Sequence, residues 1–202
     1  MRKKTKWYAA VLGLTTAGAI VLSSGAASSH GYTDLPISRQ KLCANGTVTN
    51  CGDIQYEPQS VEGPKGFPAA GPADGQICNG GISRFAQLGA PKTPSGAAWP
   101  TTKVTGGQSY TFRWQFTAIH ATTDFKYYVT KAGWNQSHNL ARSDLNTTPF
   151  LTVPYNGQRP SSSTISHTGT LPSGLSGHHV IVAVWTIADT TNAFYSCSDV
   201  TF

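Results

Sequence analysis

The sequence is short of glutamate, of charge in general, and of any long run of like charges. Glu57 and Glu62 are its only glutamates, Asp and Glu together number 9, and charged residues make up 12% of the 202 positions. Hydrolysis of a glycosidic bond by paired carboxylates needs two acids facing each other across the scissile bond, and no acid pair in a recognisable catalytic motif is present. Outside the first six residues there is no Lys/Arg-rich run, so the electrostatic footprint of a nucleic-acid binder is missing. CxxC spacing is absent too, which argues against a zinc site among the cysteines. No internal repeat and no second hydrophobic unit is found, which leaves a single domain as the simplest organisation.

An uninterrupted apolar run long enough to span a membrane is also lacking. The stretch from Trp7 to Leu22 is broken by Gly13, Thr15, Thr16 and Gly18, whereas a stable span needs about 20 predominantly apolar residues. Arg2, Lys3, Lys4 and Lys6 precede it and the small residues Ser23 to Ser29 follow. That order is the n-region, h-region and cleavage zone of a secretory signal peptide. Ala27 and Ser29 fall at the minus-three and minus-one positions of a cut before His30. The expected protein is therefore residues 30–202, secreted and extracellular, with no membrane association once the signal is removed. Four of the 15 Lys and Arg lie in residues 1–29 and none of the 9 Asp and Glu do, so eleven minus nine leaves a net charge of about +2.

Cys43, Cys51, Cys78 and Cys197 all lie in the expected mature part. An even number in an exported chain points to two disulfides. Three pairings are possible; the local Cys43 to Cys51 bridge is favoured, which leaves Cys78 to pin the carboxy-terminal strand through Cys197. Asn45, Asn135 and Asn146 stand in glycosylation sequons, but nothing in the leader indicates a host that would use them.

From Gln108 to Thr117 the chain alternates, with Tyr110, Phe112, Trp114 and Phe116 on one face and Thr111, Arg113, Gln115 and Thr117 on the other. This is the period of a half-buried strand. Phe125 to Thr130 and the β-branched run His179 to Ile187 predict two more, the second continuous enough to be central. Short strands between Gly, Pro, Ser and Asn turns predict an all-β, immunoglobulin/fibronectin-like sandwich. The stretch from Leu42 to Pro100 is rich in Gly and Pro without sustained periodicity, so it is expected to be a long irregular insertion that builds much of a substrate-facing surface.

Two of the 6 histidines stand out. His30 at a new amino terminus offers two nitrogens, because metal displaces the last proton of the α-amine as well as engaging the imidazole. His120, at the end of the alternating strand, would add a third nitrogen, a T-shaped set suited to copper. His138, His167, His178 and His179 have no matching role and read as surface or strand residues.

His30-Gly-Tyr, the segment Gln55-Tyr-Glu-Pro-Gln-Ser60, the segment Thr117-Ala-Ile-His120 with Thr122-Thr123, and Ala188-Asp-Thr-Thr-Asn-Ala-Phe194-Tyr195 are jointly recognisable. Together, and in this order, they resemble the lytic polysaccharide monooxygenases of auxiliary-activity family ten, formerly grouped as chitin-binding proteins. The resemblance covers essentially all of residues 30–202. It implies that His30 and His120 form a histidine brace for one copper ion per chain. Phe194 matches the axial aromatic that donates no oxygen, Ala118 the small residue crowding the other axial side, and Glu62 and Asp189 polar residues beside the site. Glu62 would orient the oxidant or pass it a proton.

The same resemblance implies a monomer that uses an external electron donor and dioxygen or hydrogen peroxide. Its substrate would be crystalline chitin, cut oxidatively at the anomeric carbon to give aldonic acid ends. Tyr56, Glu57 and Gln59 lie in the surface motif, with Tyr56 as a platform for sugar stacking, and the Tyr-Glu-Pro-Gln-Ser pattern looks chitin-active. A non-catalytic chitin-binding module would use the same surface and lack only the brace. A copper carrier would keep the terminal site but have no use for that surface.

Everything at the metal depends on the cut before His30. The intact mass of the exported chain should equal residues 30–202 less the hydrogens lost to two disulfides; a mature chain beginning at any other residue would remove the terminal amine from the site.

Overall fold

The computed structural model of the chain describes residues 30–202, together with Met1 and Lys3. The rest of the expected signal peptide, residues 1–29, lies outside the described residues. Nine strands are described: β1 (His30–Leu35), β2 (Glu62–Pro64), β3 (Thr102–Lys103), β4 (Ser109–Ala118), β5 (Thr122–Val129), β6 (Leu151–Pro154), β7 (Thr164–Thr170), β8 (His178–Ile187) and β9 (Asn192–Thr201). One short helix, α1 (Arg39–Ala44), and several 3-10 turns occupy the long segment between β1 and β4. Strands β1, β4 and β7 pair in that order as a small sheet, and β2, β9, β8, β5 and β6 form a larger one, with β3 running parallel to β9. The remaining pairings are antiparallel. The two sheets make the expected sandwich. No helix among the described residues is long and apolar enough to cross a membrane.

The alternation predicted for β4 holds: Phe112, Trp114 and Phe116 are buried between the sheets. Strand β8 is buried on both faces, as its β-branched run requires. Ile181, Ala183, Trp185 and Ile187 join the core between the sheets, while Val180, Val182 and Val184 enter a second core on the far side. Ile54, Val61, Phe67, Ile77, Phe85, Leu88 and Trp99 of the insertion complete that second core. The insertion is thus irregular in backbone but packed as a third layer, with a buried underside and an outer face left for the surface.

That layer is fixed to β9 by two buried links. The disulfides are Cys43 to Cys51, within the insertion, and Cys78 to Cys197, which joins it to β9 across a sequence separation of 119. Arg39, on α1, donates from Nε and Nη2 to the two carboxylate oxygens of Asp199 at 2.7 and 2.9 Å. Its Nη1 donates to the carbonyls of Leu88 and Ala90, and the guanidinium lies 4.8 Å over the Trp99 ring. Burial by itself would raise the Asp199 pKa, but Arg39 and His178 more than offset it and hold the carboxyl below its ordinary range. A buried charge of this kind is tolerated because its partner is buried and hydrogen-bonded with it.

Of the four histidines without an expected role, His167 and His179 are buried in strands. Trp114 donates from Nε1 to the Tyr127 hydroxyl at 3.1 Å, and the same hydroxyl is hydrogen-bonded to His167 Nδ1 at 2.6 Å. Burial pushes the His167 imidazole from 6.5 down to about 4. The folded chain thus holds His167 neutral, so its contribution to stability is complete above pH 6.5 and is lost as pH falls toward 4. Between pH 7.5 and 4.5 this one group should remove about 2 kcal/mol of unfolding free energy. Chemical denaturation of His167→Gln, which keeps an acceptor for Tyr127, should show a pH slope smaller by about that amount than the parent; equal slopes would refute the assignment.

Candidate metal centre

The site is assembled where the three layers meet. Strand β1 pairs with β4 so that His30 stands opposite Ala118 and Gly31 opposite Phe116. A Cβ on Gly31 would come 2.7 Å from the Phe116 ring and 3.1 Å from Trp185, so only glycine lets the strand lie this close. Farther along β1, the Thr33 amide donates to Ser196 Oγ at 3.1 Å and the two hydroxyls are 2.7 Å apart, which ties β1 to β9 as well. The segment carrying His30 is therefore held from both sheets rather than left as a frayed end.

After Ala118 the chain turns through His120 into β5. Thr122 is fully buried; its hydroxyl donates to the His120 carbonyl at 3.0 Å and accepts from Trp185 Nε1 at 2.8 Å. His120 itself is 6% exposed, and its Nδ1 lies 3.4 Å from Asp189 Oδ1 in the turn between β8 and β9. Asp189 thus faces one ring nitrogen and leaves Nε2 for another partner. Phe194 is fully buried against Trp185, with ring centroids 5.1 Å apart, and 6.2 Å from the His30 ring on its other side. It is at once a core aromatic and a neighbour of His30.

Glu62 arrives from β2, where it pairs with Phe194. Asn192 donates from Nδ2 to Glu62 Oε1 at 2.8 Å. Lys65 fastens the same edge, donating from its amide to Thr191 at 3.0 Å and from Nζ to the Thr190 carbonyl at 2.5 Å. Beneath Glu62 the backbone of Gly80 adopts φ +66, and a Cβ there would sit 2.8 Å from the Glu62 carbonyl. These contacts shape a cleft of about 420 Å³ whose walls include His30, Glu57, Glu62, Arg84 and Asn192.

Among the described residues no three His, Cys, Asp or Glu side chains converge as a metal cluster. A brace needs no such cluster, because one of its three nitrogens is a main-chain amine. The donor set would suit copper: one imidazole on β1 and one in the turn after β4, with Phe194 and Ala118 beside His30 carrying no side-chain donor. Of the six residues expected near the metal, His30 neighbours Ala118 and Phe194, Glu62 pairs with Phe194, and His120 contacts Asp189.

Of the expected surface residues, Glu57 lines this cleft. Tyr56 is 81% exposed. Glu57 is bound through both carboxylate oxygens by Arg84. Gln59 contributes its backbone carbonyl, which accepts the Gly31 amide at 3.1 Å and so stitches the surface segment to the strand of His30. Sequence reasoning did not single out Asn192, Lys65 or Arg84. Asn192 sits inside the Ala188 to Tyr195 segment already noticed; Lys65 and Arg84 lie in aperiodic sequence with no local signal.

The family model described as "Lytic polysaccharide mono-oxygenase, cellulose-degrading" matches residues 30–200. The chain belongs to this family. A solved auxiliary-activity family ten lytic polysaccharide monooxygenase from Streptomyces lividans is 77% identical, with a TM-score of 0.84 over 86% of this chain and 100% of that one. A Bacillus amyloliquefaciens protein solved in complex with Cu(I) is 37% identical, with a TM-score of 0.73 over 85% of this chain and 99% of that one. GlcNAc-binding protein A of Shewanella oneidensis is 40% identical over 100% of this chain but only 41% of its own length. The chain spans about half or less of the curated relatives it matches.

If Tyr56 is a stacking platform, Tyr56→Ala should weaken adsorption to crystalline chitin by roughly 1 to 2 kcal/mol. Its melting temperature should hardly change, since removing an exposed ring leaves no cavity, whereas truncating a buried aromatic costs about 3 kcal/mol or more. A binding isotherm and a melt on the same variant separate the two roles.

Proposed function

We propose that the chain, processed to begin at His30, is a secreted copper monooxygenase that cuts crystalline chitin and oxidises the anomeric carbon to leave aldonic acid ends. The observation that carries this reading is the register of β1 on β4, which brings the backbone of His30 beside Ala118, two residues before His120. His30, with its α-amine and imidazole, and His120, with its imidazole, would hold the metal. Held there, copper would supply one-electron chemistry toward dioxygen or hydrogen peroxide, with the electron coming from an external donor.

The chain's own residues do the rest. Asp189 keeps the His120 ring turned so that Nε2 faces the site. Phe194 and Ala118 deny the metal further protein ligands. Glu62, with one oxygen held by Asn192, keeps the other available to hold or deliver a proton at the cleft wall. Tyr56 stacks on a sugar face, and Glu57 and Gln59 meet its polar edges. The family description speaks of cellulose and the curated relatives of GlcNAc. An exposed aromatic next to a charged hydrogen-bonding pair favours the N-acetylated polymer, whose amide offers both a donor and an acceptor.

A binding module without catalysis is the second reading, supported by Tyr56 being so exposed beside the site. The two separate at the brace. Processed chain should yield aldonic acid products from chitin with copper and ascorbate by mass spectrometry, while a form with one extra residue before His30 should lose tight copper binding and product together. His120→Ala should abolish oxidation and keep adsorption. Full copper affinity and oxidation by the extended form would exclude the brace.

A further inference from the structure

Among the described residues, Arg84 is the one lysine or arginine lining the cleft shared by His30, Glu57 and Glu62. Its two terminal nitrogens each donate to a different oxygen of Glu57, the second at 3.1 Å, and Asp53 lies 3.9 Å from Nη1. The guanidinium sits 4.5 Å over the ring of Phe85, which is fully buried, while half of the Arg84 side chain stays exposed. It is thus clamped from below by an aromatic face and from the side by a carboxylate, with its outer edge in solvent.

This arrangement has a chemical consequence. A carboxylate has about four lone-pair positions, and a fork-like pair with arginine occupies one on each oxygen. The two that remain are fixed in direction. Arg84 likewise keeps N–H groups that Glu57 does not use. Side by side, the pair presents oriented acceptors and oriented donors next to the exposed Tyr56. Acetamido groups carry one N–H donor and one carbonyl acceptor, and the amide carbonyl is the stronger acceptor that a cellulose face lacks.

Resting on the chitin-surface reading above, we propose that Arg84 is a positioning residue for polysaccharide specificity, holding the Glu57 carboxylate in the orientation that receives an N-acetyl amide. Lysine cannot replace it, since an ammonium supplies a point charge and not a planar fork. The pair is exposed, so its loss hardly touches folding stability.

The test is adsorption of the processed chain and its variants to crystalline chitin and to crystalline cellulose, with a melt on each variant. Arg84→Ala should lower the chitin partition coefficient on the order of tenfold, the scale of a charge-assisted hydrogen bond, and change cellulose adsorption less than about twofold. Arg84→Lys should follow Arg84→Ala. In a Glu57→Gln background Arg84→Ala should add little further loss, because its effect runs through Glu57. Unchanged chitin adsorption, equal losses on both polymers, a lysine variant that binds like the parent, or additive losses with Glu57→Gln would each overturn the proposal. Tyr56→Ala run alongside separates the causes. If it weakens chitin binding while Arg84→Ala does not, this inference alone fails; if neither does, the surface reading falls with it.

Discussion

The large sheet is apolar on both faces, and the rest of the molecule is arranged around that constraint. Strand β8 sends Ile181, Ala183, Trp185 and Ile187 one way and Val180, Val182 and Val184 the other. A sheet that is half-solvated would alternate polar with apolar residues; this one needs a cover on each side. The small sheet supplies the first and the insertion the second. The insertion lacks the periodicity to form a sheet of its own, so it is secured by the Cys78 to Cys197 disulfide and by the buried Arg39 to Asp199 pair.

The candidate metal centre is a consequence of this three-layer construction. His30 comes from the small sheet, Phe194 and Asp189 from the large sheet and its turn, and Glu62 from the insertion's edge strand. Each is fixed by contacts that also serve the fold: Thr122 joins the His120 carbonyl to Trp185, and Gly31 lets β1 lie against Phe116 and Trp185. A ligand set drawn from several packed elements is preorganised, because moving any one residue disturbs a core. The cleft lined by His30 and Glu62 is also lined by Glu57 and Arg84 of the insertion, and Tyr56, the chain neighbour of Glu57, is exposed.

Much of this was readable from residue patterns. The period of two from Tyr110 to Phe116 and the β-branched run of β8 follow from strand geometry alone, since successive side chains must face opposite ways. The role proposed for His30 rests on the residue itself, because a histidine at a processed terminus would carry two donors wherever the chain goes. The sequence likewise specified local sidedness, punctuation by Gly and Pro, and an ordered set of motifs.

What it could not specify was partnership across distance. Glu57 and Arg84 are 27 residues apart in aperiodic chain, Glu62 and Asn192 130 apart, and Arg39 and Asp199 160 apart. The insertion's second role, as cover for a core, was hidden for the same reason: its buried residues follow no period, because an irregular backbone presents its side chains in no regular order. Only the tertiary structure decides such pairs. Their energy is realised once two remote segments are brought together, and neither segment has a local conformational preference that announces the other.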